Sequence, residues 1–423
     1  MTTCLNDYRL TLAGREYVPI MIGGMGVDIS TSALALAAAQ LGGIGHISDA
    51  MNQFVSDKNY GTTFSRQKSA KYRFLNNNPD KSEVLFNLHH VREAQLNHVR
   101  RTMEKKGSKG AVFLNIMEKL SMRQGRETLQ TRLTSALDGG IDGITLSAGL
   151  HKSSFAMMSE HPRFHDAALG IIVSSVRALS IFLRAAKKVG RLPDYVVVEG
   201  PLAGGHLGFG TDWSEYSLKA ICLEVIKFLQ DNDLQIPVIP AGGIFTGGDA
   251  VQFMEIGASA VQVATRFTVT HESGLPASAK QAYFRASEEE ITVGSISPTG
   301  YLMRYLKTSP CFGSSVRPQC QAFGYVLSEA GKCAYIEAFE KTACDDKGKK
   351  LPVNDKICLC HHFSKSNCYT CGHYTYRLKD TSNRLADGTY QLLSAEHVLN
   401  DYLYSTGNNV KRPEEENQTL YSL

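Results

Sequence analysis

Short β-branched apolar runs alternate with longer amphipathic runs through the first two thirds of the chain. VPIMIGG (18–24) predicts a strand, TSALALAAAQLGG (31–43) a helix stopped by glycine, and IGHIS (44–48) a second strand. A polar stretch of irregular pattern follows from Asp49 to Glu83, and then HHVREAQLNHVRRTMEKK (89–106) shows helical spacing. AVFLNIM (111–117), GITLSAG (143–149), LGIIVSS (169–175), YVVVEG (195–200), IPVIPAGGI (236–244) and AVQVATRF (260–267) predict six more strands. Helices are predicted at 126–140, 177–190, 217–232 and 247–257. Strands that are apolar nearly throughout are covered on both faces, so these run parallel beneath helices. Eight such units imply an α/β fold, a closed (β/α)8 TIM barrel; an open doubly wound sheet is the alternative.

The barrel is expected over residues 1–272, with 49–110 as a longer insertion and helical segment after the second strand. Residues 273–423 do not alternate. They are expected to form a C-terminal extension packed on the barrel, with a Cys-rich zone at 311–373 and a frayed polar end.

Composition narrows the function. A net charge of +4 over 423 residues gives no footprint for nucleic acid, and the most basic run, HVRRTMEKKGSK, reads as a solvated helix end. No run of 18 apolar residues exists, so no membrane span is expected. MTTCLNDYRL lacks the charged-then-apolar pattern of a signal peptide, and the expectation is a cytoplasmic protein acting on a small molecule. Of 10 cysteines, 8 follow position 310; in a reducing compartment they are thiols or metal ligands.

The predicted strands end on small residues. Gly23-Gly24-Met25-Gly26 follows strand one, Ala203-Gly204-Gly205-His206 strand six, Ala241-Gly242-Gly243 strand seven, and Ala264-Thr265-Arg266 closes strand eight. Glycine lets a backbone approach a ligand closely, and the last two strands are the usual phosphate location in barrels. Gly242, Gly243, Ala264 and Thr265 therefore read as a phosphate clamp. No GxGxxG with its acidic partner and no P-loop is present.

GGMG, FLNIM, EGPLAGGH and PAGGIFTGGDAVQFMEIGASAVQVATRF, in this order and spacing, resemble the nitronate monooxygenase family of FMN-dependent barrels. The likeness extends over roughly residues 15–305, including SPTGYLMR. The resemblance implies FMN as cofactor. Gly23, Gly24 and Met25 would border the flavin ring, Asn115 would hydrogen-bond the ring or the ribityl chain, Glu199 would hold the ribityl hydroxyls, and Gly204 and Gly205 would face the ring. Gly242, Gly243, Ala264 and Thr265 would take the phosphate, and His206 would be the catalytic histidine. Where several members carry a lysine in strand five, this chain reads IIVSSV, so Ser174 or Ser175 must serve.

The implied reaction is oxidation of alkyl nitronates or nitroalkanes with dioxygen to a carbonyl compound and nitrite. A nitroalkane is a carbon acid, and a base of near-neutral pKa suits its deprotonation. The bland reading of His206 is an imidazole that only hydrogen-bonds its surroundings. NAD(P)H-dependent reduction of quinones or enoyl thioesters on the same cofactor is the rival activity. A non-catalytic flavin-binding interaction protein is the third reading. His46 reads as a satisfied loop histidine, His89 and His90 as solvent-facing, and His151 as a second candidate to line the pocket. Cys358, Cys360, Cys368 and Cys371, with His361, His362 and His373 among them, could hold zinc or an iron–sulfur cluster, or remain reduced thiols.

Overall fold

The computed structural model describes residues 3–76, 78, 80–118, 124–318 and 332–414. Cys320 and the end of the tail, 415–423, lie outside these. Eight parallel strands close into a barrel in chain order: β1 Ile20–Ile22, β2 Ile44–Ser48, β3 Ala111–Met117, β4 Gly143–Ser147, β5 Ala168–Val173, β6 Tyr195–Glu199, β7 Val238–Ala241 and β8 Val261–Val263. β8 pairs with β1, which leaves no open edge. The closed barrel displaces the doubly wound alternative.

Alternation along each strand divides two cores. Met21, Ile44, Phe113, Ala168, Tyr195, Val197, Ile239 and Ala260 meet inside the barrel. Ile20, Ile22, Val112, Leu114, Ile144, Leu169, Val196 and Val261 face the surrounding helices. A hairpin, Leu10–Leu12 with Arg15–Tyr17, adds Leu10, Leu12 and Tyr17 to the inner core at the strand starts. Its turn places Ala13 and Gly14 at φ 49° and 74°, the left-handed pair a two-residue hairpin requires. The hairpin thus closes the inner core at the strand starts.

Seven helices follow the strands around the barrel: α1 Ser32–Gln40, α4 Leu88–Met103, α5 Gly125–Asp138, α6 Ser154–Met158, α7 Val176–Lys187, α8 Leu218–Asp231 and α9 Gly247–Glu255. Between β2 and α4, the polar stretch expected to be irregular forms two further helices, α2 Asn52–Tyr60 and α3 Phe64–Lys71. Polar bonds rather than an apolar stripe fix them. Asn52 donates to Val91 O and Gln95 Oε1, and Asp57 accepts from the Phe64 and Ser65 amides at the start of α3.

β8 also ends earlier than expected. Thr265–Val269 forms a 3-10 turn in place of the end of the predicted strand. Two helices follow, α10 Ala277–Arg285 and, beyond the Cys-rich zone, α13 Ala395–Tyr404, with α11 Ala334–Lys341 and α12 Leu359–Ser364 between them. α13 packs against both α1 and α9, the place of the eighth barrel helix. Its buried positions, Ala395, Val398, Leu399, Tyr402 and Leu403, have helical spacing.

Arg266, fully buried, bonds Asp401 of α13 at 2.7 Å and lies 4.9 Å from the centre of the Tyr402 ring. Removing one partner of such a pair strands a charge in the core. Asp401→Ala is expected to lower unfolding free energy by about 3–5 kcal/mol in urea titration. Arg266→Met combined with Asp401→Leu should lose less than Asp401→Ala alone.

Candidate active site

Inward parity carries up each strand to the open end. Above Met21, Phe113, Ile172, Val197 and Ala260, the next inward positions are Gly23, Asn115, Ser174, Glu199 and Gln262. An apolar lumen is therefore topped by a polar ring. Glu199 and Gln262 sit level with Ala241 on the strand between them. Asn115 is buried, and a Cβ at Gly24 would overlap its side chain. The amide oxygen of Gln262 is buried beside Gly23 and has no hydrogen-bond partner among the described residues. Sequence reasoning missed Gln262; its inward parity at the end of β8 was the available signal.

Around this ring the glycine-rich ends come together. Gly242 and Gly243 hold φ of 96° and 84°, and a Cβ on Gly242 would stand 2.8 Å from Ala203 N, so glycine is required there. Ala264 and Thr265 leave β8 beside them. Gly23 N donates to Val263 O and Met25 N to Ser30 Oγ, so these two residues offer a close backbone surface rather than free amides. Gly24, Met25, Gly205, His206, Gly242, Gly243, Ala264 and Thr265 all keep partial exposure, and Gly204 is exposed. The expected residues share one mouth.

His206 lies in a short strand, Gly205–His206, paired antiparallel to Met303–Leu306, with Met303 opposite His206. The imidazole Nε2 is 2.7 Å from Ser297 Oγ, and Ser297 Oγ is 2.8 Å from Thr299 Oγ1. The chain His206–Ser297–Thr299 can run in either direction, and with Nε2 protonated it donates to Ser297 Oγ, which donates to Thr299. The described residues give Nδ1 no partner. Burial lowers the imidazole pKa to about 4, so the ring is neutral at ordinary pH. Ser297 and Thr299 come from SPTGYLMR, a motif the sequence displayed without revealing which of its side chains meets the histidine.

Burial also pushes the Glu199 carboxyl up to about 7, against a backbone hydrogen bond from Gly208 and the charge of Arg304. Arg304, from the same motif, is buried, donates to Ala203 O and lies 4.7 Å from the Trp213 ring centre. One of its terminal nitrogens, Nη2, has no partner.

The other candidates separate. Ser175 caps α7 by accepting from Ala178 N, whereas Ser174 stands at the mouth and donates to Gly208 O at 3.1 Å. His46 is satisfied, but within β2 rather than in a loop. Its Nδ1 is 2.8 Å from Ile22 O and its Nε2 2.5 Å from Thr145 Oγ1, which meets the Tyr195 hydroxyl. His151 is buried and bonded at both nitrogens, to Ser154 Oγ and Ser147 O, and does not open onto the mouth. His89 is exposed, while His90 is half-buried and stacks on Phe64.

The Cys-rich zone reaches the mouth as a strap, residues 359–373. Thr370 bridges to Tyr305, and Cys371 N donates to Arg304 O, continuing the line of the Gly205–His206 strand. Phe363 presents its ring 6.3 Å from that of His206. Cys371 and Gly372 lie against Gly204, Gly372 also against Thr265, and His373 N donates to Leu202 O. Cys358 packs with Cys333, Cys368 with Cys311, and Cys371 with Phe245 and Tyr283. Among the described residues no group of three His, Cys, Asp or Glu side chains could hold a metal. No described helix is long and apolar enough to cross a membrane.

This barrel is similar in fold to a nitroalkane oxidase of Streptomyces ansochromogenes, with 17% identity, a TM-score of 0.54, and coverage of 91% of this chain and 94% of that one. FabK of Thermotoga maritima is similar at 18% identity and a TM-score of 0.53, covering 91% of each chain. In sequence, a probable nitronate monooxygenase of Staphylococcus saprophyticus is 25% identical over 183 residues, which are 43% of this chain and 49% of that relative. The chain thus spans about half the length of that curated relative. The profile of the nitronate monooxygenase family matches residues 10–311, and the chain belongs to that family.

Proposed function

We propose that the mouth binds FMN and that the protein oxidises alkyl nitronates and nitroalkanes, with dioxygen, to a carbonyl compound and nitrite. The observation that carries this reading is the half-buried, neutral His206, bonded to Ser297 beside a ring of inward polar groups and glycine-rich strand ends. The residues fit the cofactor on physical grounds. Gln262 has a buried amide oxygen awaiting a donor, and Gly24 leaves room over Asn115 that a side chain would close. Half-protonated near neutrality, Glu199 can both donate to and accept from sugar-like hydroxyls. Bound there, FMN would supply two-electron redox chemistry and reactivity with dioxygen.

The chain's own part is proton transfer. Nδ1 of His206, without a partner among the described residues, accepts the proton from the carbon bearing the nitro group in the tautomer whose Nε2–H donates to Ser297 Oγ. Positioned general bases contribute on the order of 10²–10⁴ in rate. Phe363 of the strap excludes water beside the imidazole and offers an apolar face to an alkyl substituent.

Anaerobic addition of propionate 3-nitronate to the purified yellow protein is expected to bleach its visible absorbance. Bleaching by NADH alone, with none from the nitronate, would establish the rival reductase activity. His206→Asn should retain the chromophore and lose about 10²-fold or more of kcat/KM on neutral nitroalkanes, and far less on preformed nitronates. Equal loss on both would remove the base assignment. The base works only when unprotonated, so kcat/KM on nitroalkanes should fall as pH drops through the His206 pKa. Burial lowers that pKa to about 4, so the acid limb should lie well below pH 6.5 in a pH–rate profile.

A further inference from the structure

Two thiols outside the proton-transfer chemistry meet where the strap crosses the chain leaving the Met303–Leu306 strand. Cys311 and Cys368 are both buried and share one apolar cluster with Ile296, Met303 and Tyr305. Ser309 joins their two segments, its Oγ 3.1 Å from Cys311 Sγ and 2.7 Å from Asn367 O. The two side chains are close enough to shift each other's titration: contact with Cys368, helped by Ser309, lowers the pKa of Cys311, while contact with Cys311 and burial raise that of Cys368, so Cys311 is the thiolate-prone partner. Cys368 lines a narrow crevice with Gly26, Val27, Phe363 and Tyr369.

We propose that Cys311 and Cys368 form a reversible disulfide with hydrogen peroxide as oxidant, and that this bond fastens the strap over the barrel mouth. The Cys311 thiolate attacks one peroxide oxygen, forming an S–O bond and breaking the O–O bond; the hydroxide released takes up the proton Cys311 gave away. The Cys368 sulfur then attacks the Cys311 sulfur. The S–O bond breaks, the Cys368 proton leaves with the oxygen as a second water, and the S–S bond forms. Two thiols and one peroxide thus give one disulfide and two waters, with the sulfurs losing two electrons. The strap carries Phe363, Cys371 and Gly372 against His206, Gly204 and Thr265, so fastening it restricts the mouth. That last consequence rests on the proposed function; the cross-link itself does not.

The test uses the full chain, first reduced with dithiothreitol, then freed of it and exposed to equimolar hydrogen peroxide. Free thiols counted after unfolding should fall by two from the 10 the sequence holds, and dithiothreitol should restore them. Non-reducing peptide mapping should join the peptide bearing Cys311 to that bearing Cys368. Cys368→Ser should stop at the Cys311 sulfenic acid, trapped by dimedone. Should that variant fail to fold, the wild-type map alone decides. Protease cleavage within 359–373 should slow about 10-fold on oxidation, since the strap can no longer open locally. Nitronate turnover should drop several-fold and recover with dithiothreitol. A map without the Cys311–Cys368 link, or an unchanged thiol count, overturns the site. A link that leaves both cleavage and turnover unchanged overturns the fastening. A colourless protein that still forms the link would defeat the flavin reading and leave the disulfide standing.

Discussion

Closing eight parallel strands forces every second side chain into one shared lumen, and the rest of the molecule follows from how that lumen is filled. From below, the hairpin supplies Leu10, Leu12 and Tyr17, and the middle is packed by Phe113, Tyr195 and Val197. His46, Thr145 and Tyr195 satisfy one another there, so the one polar chain at that depth needs no ligand. Only at the carboxyl ends does the same parity deliver Asn115, Ser174, Glu199 and Gln262, side chains that apolar packing cannot satisfy. The mouth is where the inward polar side chains collect.

The barrel was legible because its strands are short apolar runs and its helices carry apolar stripes, and those two periods are read from sequence directly. α2 and α3 were not, because Asn52 and Asp57 hold them through hydrogen bonds that leave no stripe. α13 had the stripe, at Ala395, Val398, Leu399, Tyr402 and Leu403, but lay in a stretch without strands on either side to suggest a barrel unit. The end of β8 was overread because Arg266 follows an apolar run; its charge turns inward to Asp401 rather than continuing the strand.

Glycine-rich ends and His206 were visible as motifs, since a motif is local. Ser297, Arg304 and Phe363 approach His206 and its loop from distant segments, and no local pattern encodes such a meeting. The cysteines show the same limit from the other side. The spacing Cys368-x2-Cys371 suggests convergence on one metal, yet Cys368 packs with Cys311 and Cys371 with Phe245 and Tyr283. Spacing fixes what can converge; the strap's path decides what does.

Two buried arginines make the C-terminal segments part of the mouth rather than an appendage. Arg266 follows Thr265 and is held by α13; Arg304 sits beneath the Gly204 loop, donating to Ala203 O while its neighbour Cys371 packs above. Each guanidinium fixes a strand end whose backbone position sets the shape of the mouth. A small movement of α13 or of the strap therefore shifts Thr265 or Gly204 with little change in the barrel wall, because packed strands resist deformation more than loops do. The C-terminal segments thus shape the mouth through charge pairs and close glycine contacts, and His206 sits on their sheet, above the fixed frame of the barrel.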